Sequence, residues 1–416
     1  MNRNDPSRPE AGLSLALLAV KPHRLLFFVG ALNVLLAMSW WLLWLIDARW
    51  HAIHLPTGTP FGGWIHAFVM QYQLFPPFMF GFLMTTFPRW MGFPDLKRAH
   101  YVPVGLGLLG GQLSVIAGML AGIVHLVHLG VVLSILGWGY GLFQLLGVLL
   151  AERRAGKGPT WHAWSCFAAL GFGLVGLLLM AASLHGAGPW TVFVSIKLGT
   201  FAVLLPIYTT VAHRMFPFFA GNAVHGYRPW RPMGLVAALW ALLLAHLTLE
   251  LMHANAWTWP IDAVLALGSA HVLFRWWPRG KSPAILWVLF AGFTWLPIAF
   301  TLFAVQSAVL AASGEFILGR GPQHAIYIGF FGSLLVAMVT RVTLGHSGRL
   351  IEMSKVAWFA FALLQLVAVT RIAAEAAPDT YLWQMVAAAG WLVAFLPWAL
   401  RSLSIYLHPR ADGKPG

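Results

Sequence analysis

His246, Glu250 and His253 are spaced i, i+4, i+7 in an apolar stretch, so on a helix they share one face. Two imidazoles and a carboxylate on one stripe are a donor set for copper or another divalent ion. The same residues also serve as a polar cap where a helix leaves apolar surroundings. His51/His54 and His125/His128 are i, i+3 pairs with the same two readings. His66 and His324 each open a long apolar stretch, and imidazoles from two helices at one depth can be the axial ligands of a haem. The alternative for each is an interfacial histidine bonded to loop carbonyls. Lys197 stands two turns into another apolar stretch, roughly 9 Å along a helix axis. It either reaches back to water or pairs with a haem propionate, Glu250 or Glu315. Arg341 closes the stretch that His324 opens and leads into Leu344–Arg349, LGHSGR. There Gly345 and Gly348 permit sharp turns, while His346 and Arg349 either cap helix ends, bind lipid phosphate or join Arg341 in a cofactor site.

Other chemistry is absent. The chain has no Ser-His-Asp set, no paired buried carboxylates and no phosphate-cradling loop. A single cysteine, Cys166, excludes an internal disulfide and the cysteine-based iron–sulfur and c-type haem motifs.

Composition dictates the elements that must position these groups. Of 416 residues, 59% are hydrophobic and 9% charged, against roughly 25% charged in soluble domains. Lipid is the solvent for most of this chain. The net charge of +14 comes from basic residues scattered in short loops rather than gathered on one face, which argues against nucleic acid. Apolar segments at about 25–46, 62–87, 102–121, 127–150, 162–184, 191–213, 231–252, 256–274, 284–311, 322–341, 355–375 and 381–402 predict a single all-α transmembrane domain of twelve spans over 1–416. The first, Leu25–Ile46, lacks a small-residue cleavage site and reads as an anchor.

Loop charge predicts the orientation. With both termini cytoplasmic, only Arg49, Lys197, Arg320 and Arg371 of the 26 basic residues fall away from the inner side. His51, His54, His66, His125, His128, His185, His246, His253 and His324 then lie toward the outer side. Trp40, Trp41, Trp44, Trp257 and Trp259 are placed as headgroup anchors near span ends. Spans 2, 6 and 10 each finish on an arginine before a turn-rich loop, at Arg89, Arg214 and Arg341. Lys197 also precedes Arg214 by the interval at which His324 precedes Arg341. Either the chain holds three four-helix units, or uniform basic loops produce the spacing by chance.

Three segments together resemble the NnrS family of bacterial inner-membrane proteins linked to the nitric oxide response. They are His66–Gly92 (HAFVMQYQLFPPFMFGFLMTTFPRWMG), Arg214–Asn222 (RMFPFFAGN) and His324–Arg349, ending TRVTLGHSGR. PAILWVLFAGFTWLP at Pro283–Pro297 matches the family's ninth span. The resemblance covers nearly the whole chain and implies a polytopic inner-membrane protein with haem and copper that acts against nitrosative stress. Two departures stand out. The family's His-x-His-Glu-Met in span 2 is here His66-Ala67-Phe68-Val69-Met70, and a histidine usual in the ninth span is replaced by Phe290. Twelve spans, a four-helix repeat and histidines opening spans 2 and 10 are also similar to the haem–copper oxidases, which hold a low-spin haem between those two spans.

The expectation is a haem-binding protein that senses, binds or reduces nitric oxide or another small gas, supplied by a respiratory electron donor where it turns over. His66 and His324 would be its axial ligands, and His246, Glu250 and His253 its second metal site. The rival is a secondary transporter of a metal ion or small solute, with Lys197 near midplane and Pro76-Pro77 and Pro206 as helix breaks. A cofactor-free assembly partner of respiratory complexes is a third class.

Overall fold

The computed structural model describes residues 13–56 and 60–414, which hold helices and no strand. Ten helices are long and apolar enough to cross a membrane. They are α1 (Pro22–Trp50), α3 (Arg98–Ala121), α4 (Val124–Arg154), α5 (Trp161–Leu184), α6 (Pro189–Ala223), α7 (Gly234–Leu251), α9 (Ala284–Ser313), α10 (Gly321–His346), α11 (Lys355–Ala376) and α12 (Thr380–Leu407). Two further helical runs occupy the remaining expected segments. One, α2 (62–91), is interrupted at Phe75, just before Pro76-Pro77. The other, α8 (Trp259–Trp276), carries Asp262, His271 and Arg275 within 18 residues. Backbone groups in lipid must bond within their own segment, which is why every apolar segment becomes a helix.

Three helices form the centre. α2, α6 and α10 each contain a wide π turn, at Met70–Leu74, Gly199–Leu204 and Ala325–Gly332. An inserted residue widens the turn and breaks the regular hydrogen-bond ladder, a feature concentrated at functional sites. Here all three insertions face one another. The Gln71 side-chain amide donates to the Thr200 hydroxyl at 3.1 Å and to the Tyr327 hydroxyl, and the two hydroxyls lie 2.6 Å apart. Gly199 makes room for this contact, because a Cβ there would stand 2.2 Å from the Gln71 Oε1. Burial follows the same plan: 78% of the apolar window of α10 is buried against 28% of that of α7.

Apolar packing continues below the polar tier. A cavity of about 70 Å³ lies among Phe78, Leu83, Ile207, Tyr208, Leu334 and Met338. Its one hydroxyl belongs to Tyr208, whose ring packs on Phe331 at 4.5 Å.

Both ends of the bundle depart from expectation. Helix α10 continues through Leu344, Gly345 and His346, so the tight loop predicted from Leu344 begins only at Ser347. Of its two glycines only Gly348 is left-handed, with φ +69°. Arg341 therefore lies within the helix and does not face a loop: its guanidinium lies over the Phe219 ring of α6 at 4.0 Å. Arg214 of α6 likewise covers Trp90 of α2 at 4.3 Å. At the opposite end Trp257 and Trp259 are exposed as anchors should be, whereas Trp40 is 2% exposed and belongs to the core. Helix α12 packs along α1, so part of that helix surface is buried in the bundle.

Candidate functional site

His66 lies in the first turns of α2 and His324 ends the first turn of α10, so both occupy the end of the bundle away from Arg89, Arg214 and Arg341. His324 lies within electrostatic reach of His66, Arg320 and Arg371. Its Nδ1 is 2.8 Å from the Arg320 carbonyl oxygen, one turn back along the helix. A carbonyl can only accept, so Nδ1 carries the proton and Nε2 keeps its lone pair. Metal-binding histidines are commonly oriented in this way. The His66 ring is held differently, stacked on the Trp41 indole of α1 with centroids 4.0 Å apart and planes 14° apart. Both rings are half-buried. One helical turn deeper on the same two helices lie Gln71 and Tyr327, so the histidine pair sits directly on the polar tier.

Lys197 of α6 completes this level. Its Nζ is 2.8 Å from the Glu250 Oε2 of α7, an ion pair. Of its four alternatives (water, a haem propionate, Glu250 or Glu315), the fold brings Glu250 to it. Glu250 in turn places Oε1 3.7 Å from the His246 Nε2, and the His246 Nδ1 is 2.6 Å from the Asp262 Oδ1 of α8. Glu250, His246 and Asp262 are all buried. The result is an ionic chain, Lys197–Glu250–His246–Asp262, running across three helices. Beside it a polar cavity of about 60 Å³ is lined by Lys197, Glu250, Asn255, Thr258, Gln306 and Gln323.

The stripe His246, Glu250 and His253 does not form a donor set. Helix α7 ends at Leu251, and His253 adopts φ +56°, which turns its ring onto Trp190 and Phe193 with centroids 5.6 and 5.1 Å away. His246 already has a carboxylate facing each ring nitrogen. Among the described residues no group of three or more His, Cys, Asp and Glu is arranged to hold a metal ion. The residues present there do not fit a copper ion.

Arg341, His346 and Arg349 lie at the opposite end from His66 and His324. Arg341 covers Phe219, the His346 ring packs at a tilt on His23 of α1 with centroids 4.2 Å apart, and Arg349 Nη1 reaches the Ser347 carbonyl at 3.5 Å. They do not meet the histidine pair. In that end region the Asp95 carboxyl, in the loop after α2, is held down to about 2 by hydrogen bonds from Arg89 and Lys21.

The sequence model of one protein family, described as NnrS protein, matches residues 17–410. The chain belongs to the NnrS family. No curated protein matches it. Membership supports a role in the nitric oxide response in general. In this NnrS chain Phe68, Val69 and Phe290 are core side chains. Phe68 and Val69 are each 1% exposed, and Phe290 packs edge-on against Phe216 at 5.4 Å.

Two functional features lay outside the sequence reading. Asp262 offered a signal, since an acid inside an apolar span is a functional flag. Gln71, Thr200 and Tyr327 offered none, because their meeting depends on three π turns that apolar periodicity does not reveal.

Proposed function

We propose that this NnrS chain is a bacterial inner-membrane protein with twelve spans and both termini in the cytoplasm, and that it binds haem between α2 and α10 in the service of the nitric oxide response. Positive loops support the orientation, with the arginine end inside and the His66–His324 end outside. The recurrence of a π turn and, beyond it, an arginine in the later part of α2, α6 and α10 supports three four-helix units.

The observation that carries the haem reading is the state of His324. Its Nδ1 proton is committed to the Arg320 carbonyl, so its Nε2 is presented as a ligand, close to a second imidazole from another helix. His66 and His324 are the residues that would hold the iron, and neutral imidazoles suit it. The haem, when bound, would supply an iron centre for electron transfer, and for a diatomic gas where one of the two imidazoles gives way. Trp41 fixes the plane of His66 by stacking, Arg320 fixes that of His324, and the Gln71–Thr200–Tyr327 tier closes the site toward the bundle centre. The cavity beside Tyr208 gives an apolar gas somewhere to reside within the same three helices.

The test is an optical spectrum and haem analysis of the protein purified in mild detergent, before and after nitric oxide. A stoichiometric haem band that shifts with the gas, and is lost in His66→Ala and in His324→Ala, is the expected outcome. Unchanged spectra in both variants, or a colourless protein after haem-supplemented expression, overturn it. The polar cavity beside Lys197 favours one second reading, a secondary transporter of a small solute. Uptake by proteoliposomes that disappears in Lys197→Met would replace the first reading by that one.

A further inference from the structure

The ionic chain of α6, α7 and α8 has a chemistry of its own, independent of any haem. A neutral imidazole has one N–H and one lone pair. The His246 ring has Asp262 Oδ1 at 2.6 Å from Nδ1 and Glu250 Oε1 at 3.7 Å from Nε2. The Nδ1 proton is held on Asp262 at hydrogen-bond distance, and a proton on Nε2 would point toward the Glu250 carboxylate. With both nitrogens protonated, Lys197 and His246 supply two positive charges, and Glu250 and Asp262 two negative ones. The chain is neutral, as a buried group in a bilayer must nearly be.

The surroundings decide what the chain can do. The groups facing His246 are Asp262 of α8, Glu250 of its own helix, and the rings of Phe201 (α6) and Phe303 (α9), with centroids 4.1 and 5.4 Å away. Those facing Glu250 are Lys197 of α6 and, at longer range, Tyr327 of α10. Gln306, 4% exposed, and Gln323 each line the polar cavity with an oxygen that has no hydrogen-bond partner, and Glu250, 6% exposed, lines it with the carboxylate that Lys197 holds. Two unpartnered acceptors beside a carboxylate and an ammonium, around about 60 Å³, make a place for water, which needs two to four polar partners. The cavity wall includes Phe316, 53% exposed, in the loop between α9 and α10 at the histidine end.

We propose that His246 and Glu250 form a proton-exchange site, in which His246 holds a proton against Asp262 and exchanges it through Glu250 with water in the adjoining cavity. In the exchange step the Glu250 carboxylate closes the 3.7 Å gap to Nε2, the His246 Nε2–H bond breaks and an O–H bond forms on Glu250 Oε1. The ring becomes neutral, keeps its Nδ1–H on Asp262, and leaves Lys197 and Asp262 as the charged pair. The chain is neutral before and after, so the step moves a proton without burying a net charge. Asp262 fixes the tautomer that makes it work, and Lys197 holds the Glu250 carboxylate when the proton returns. Water in the cavity takes the proton from Glu250, which leaves the chain with one net negative charge until water delivers the next.

Infrared difference spectra of the full-length protein in mild detergent, from about pH 5 to about pH 9 to bracket the histidine range, test this directly. The expected result is a protonated-carboxyl band that shifts when the protein is made with isotope-labelled glutamate and is lost in Glu250→Gln but kept in Glu315→Gln. A band indifferent to the label, or no pH-dependent carboxyl band at all, overturns the proposal in the unmutated protein. His246→Gln supplies a second readout. Asp262 without its cation should take up the proton itself, giving a new carboxyl band that the glutamate label does not move and that His246→Gln/Asp262→Asn lacks. An ionised Asp262 in His246→Gln would mean that His246 is not the proton holder. These outcomes do not depend on haem.

Discussion

His324 and His246 are both histidines on apolar helices at the same end of the bundle, and they have opposite freedoms. One nitrogen of His324 is tied to a carbonyl and the other is free. Both nitrogens of His246 face carboxylates, one on its own helix and one on α8. The first is arranged to give a lone pair to a ligand, the second to hold a proton. What separates them is the partner that a different helix delivers, and spacing along either helix says nothing about that partner.

The largest contrast expected from this comparison is optical. His324→Ala should abolish the haem band, whereas His246→Gln should leave its position and stoichiometry unchanged. A band lost equally in both would join the two regions into one site. Next in size is the stability of the ionic chain. Removing one member of a buried pair leaves an uncompensated charge, at a cost of about 3–5 kcal/mol. Asp262→Ala should therefore lower the thermal denaturation midpoint in detergent sharply, and the double variant Asp262→Ala/His246→Leu should recover much of the loss. Equal damage in single and double variants would show that the pair is not coupled.

Gly199→Ala probes the tier beneath the histidine pair. Its Cβ would meet the Gln71 amide, so a cost of about 1–3 kcal/mol is expected from overpacking. Gln71→Ala in the same background should relieve the clash. At the opposite end Arg341→Gln removes a cation over Phe219 and should cost about 0.5–1 kcal/mol, read from the same midpoint.

The smallest effect is that of pH on Asp95. Arg89 and Lys21 lower its folded value to about 2, below the roughly 3.9 of an unfolded aspartate. The contribution is therefore present above that unfolded value and fades as pH falls through about 2. Comparing the protein with Asp95→Asn, the midpoints should differ slightly near pH 5 and converge near pH 2. A difference that grows on acidification would reverse the assignment.

The apolar lengths, the basic loops and the LGHSGR tail by themselves determined that this is an all-helical membrane protein of the NnrS family with His66 and His324 opening two helices. They suffice because lipid forces each apolar segment into a helix whose ends are marked by charge. Sequence also nominated Glu250 as one partner of Lys197. It could not choose between a metal stripe and an ionic chain at His246, because Asp262 lies on another helix and His253 turns away only where α7 ends. Nor could it show that α2, α6 and α10 meet through Gln71, Thr200 and Tyr327, or that Arg341 rests on Phe219 instead of serving a cofactor. Those are contacts between helices, and packing alone decides which side chains meet.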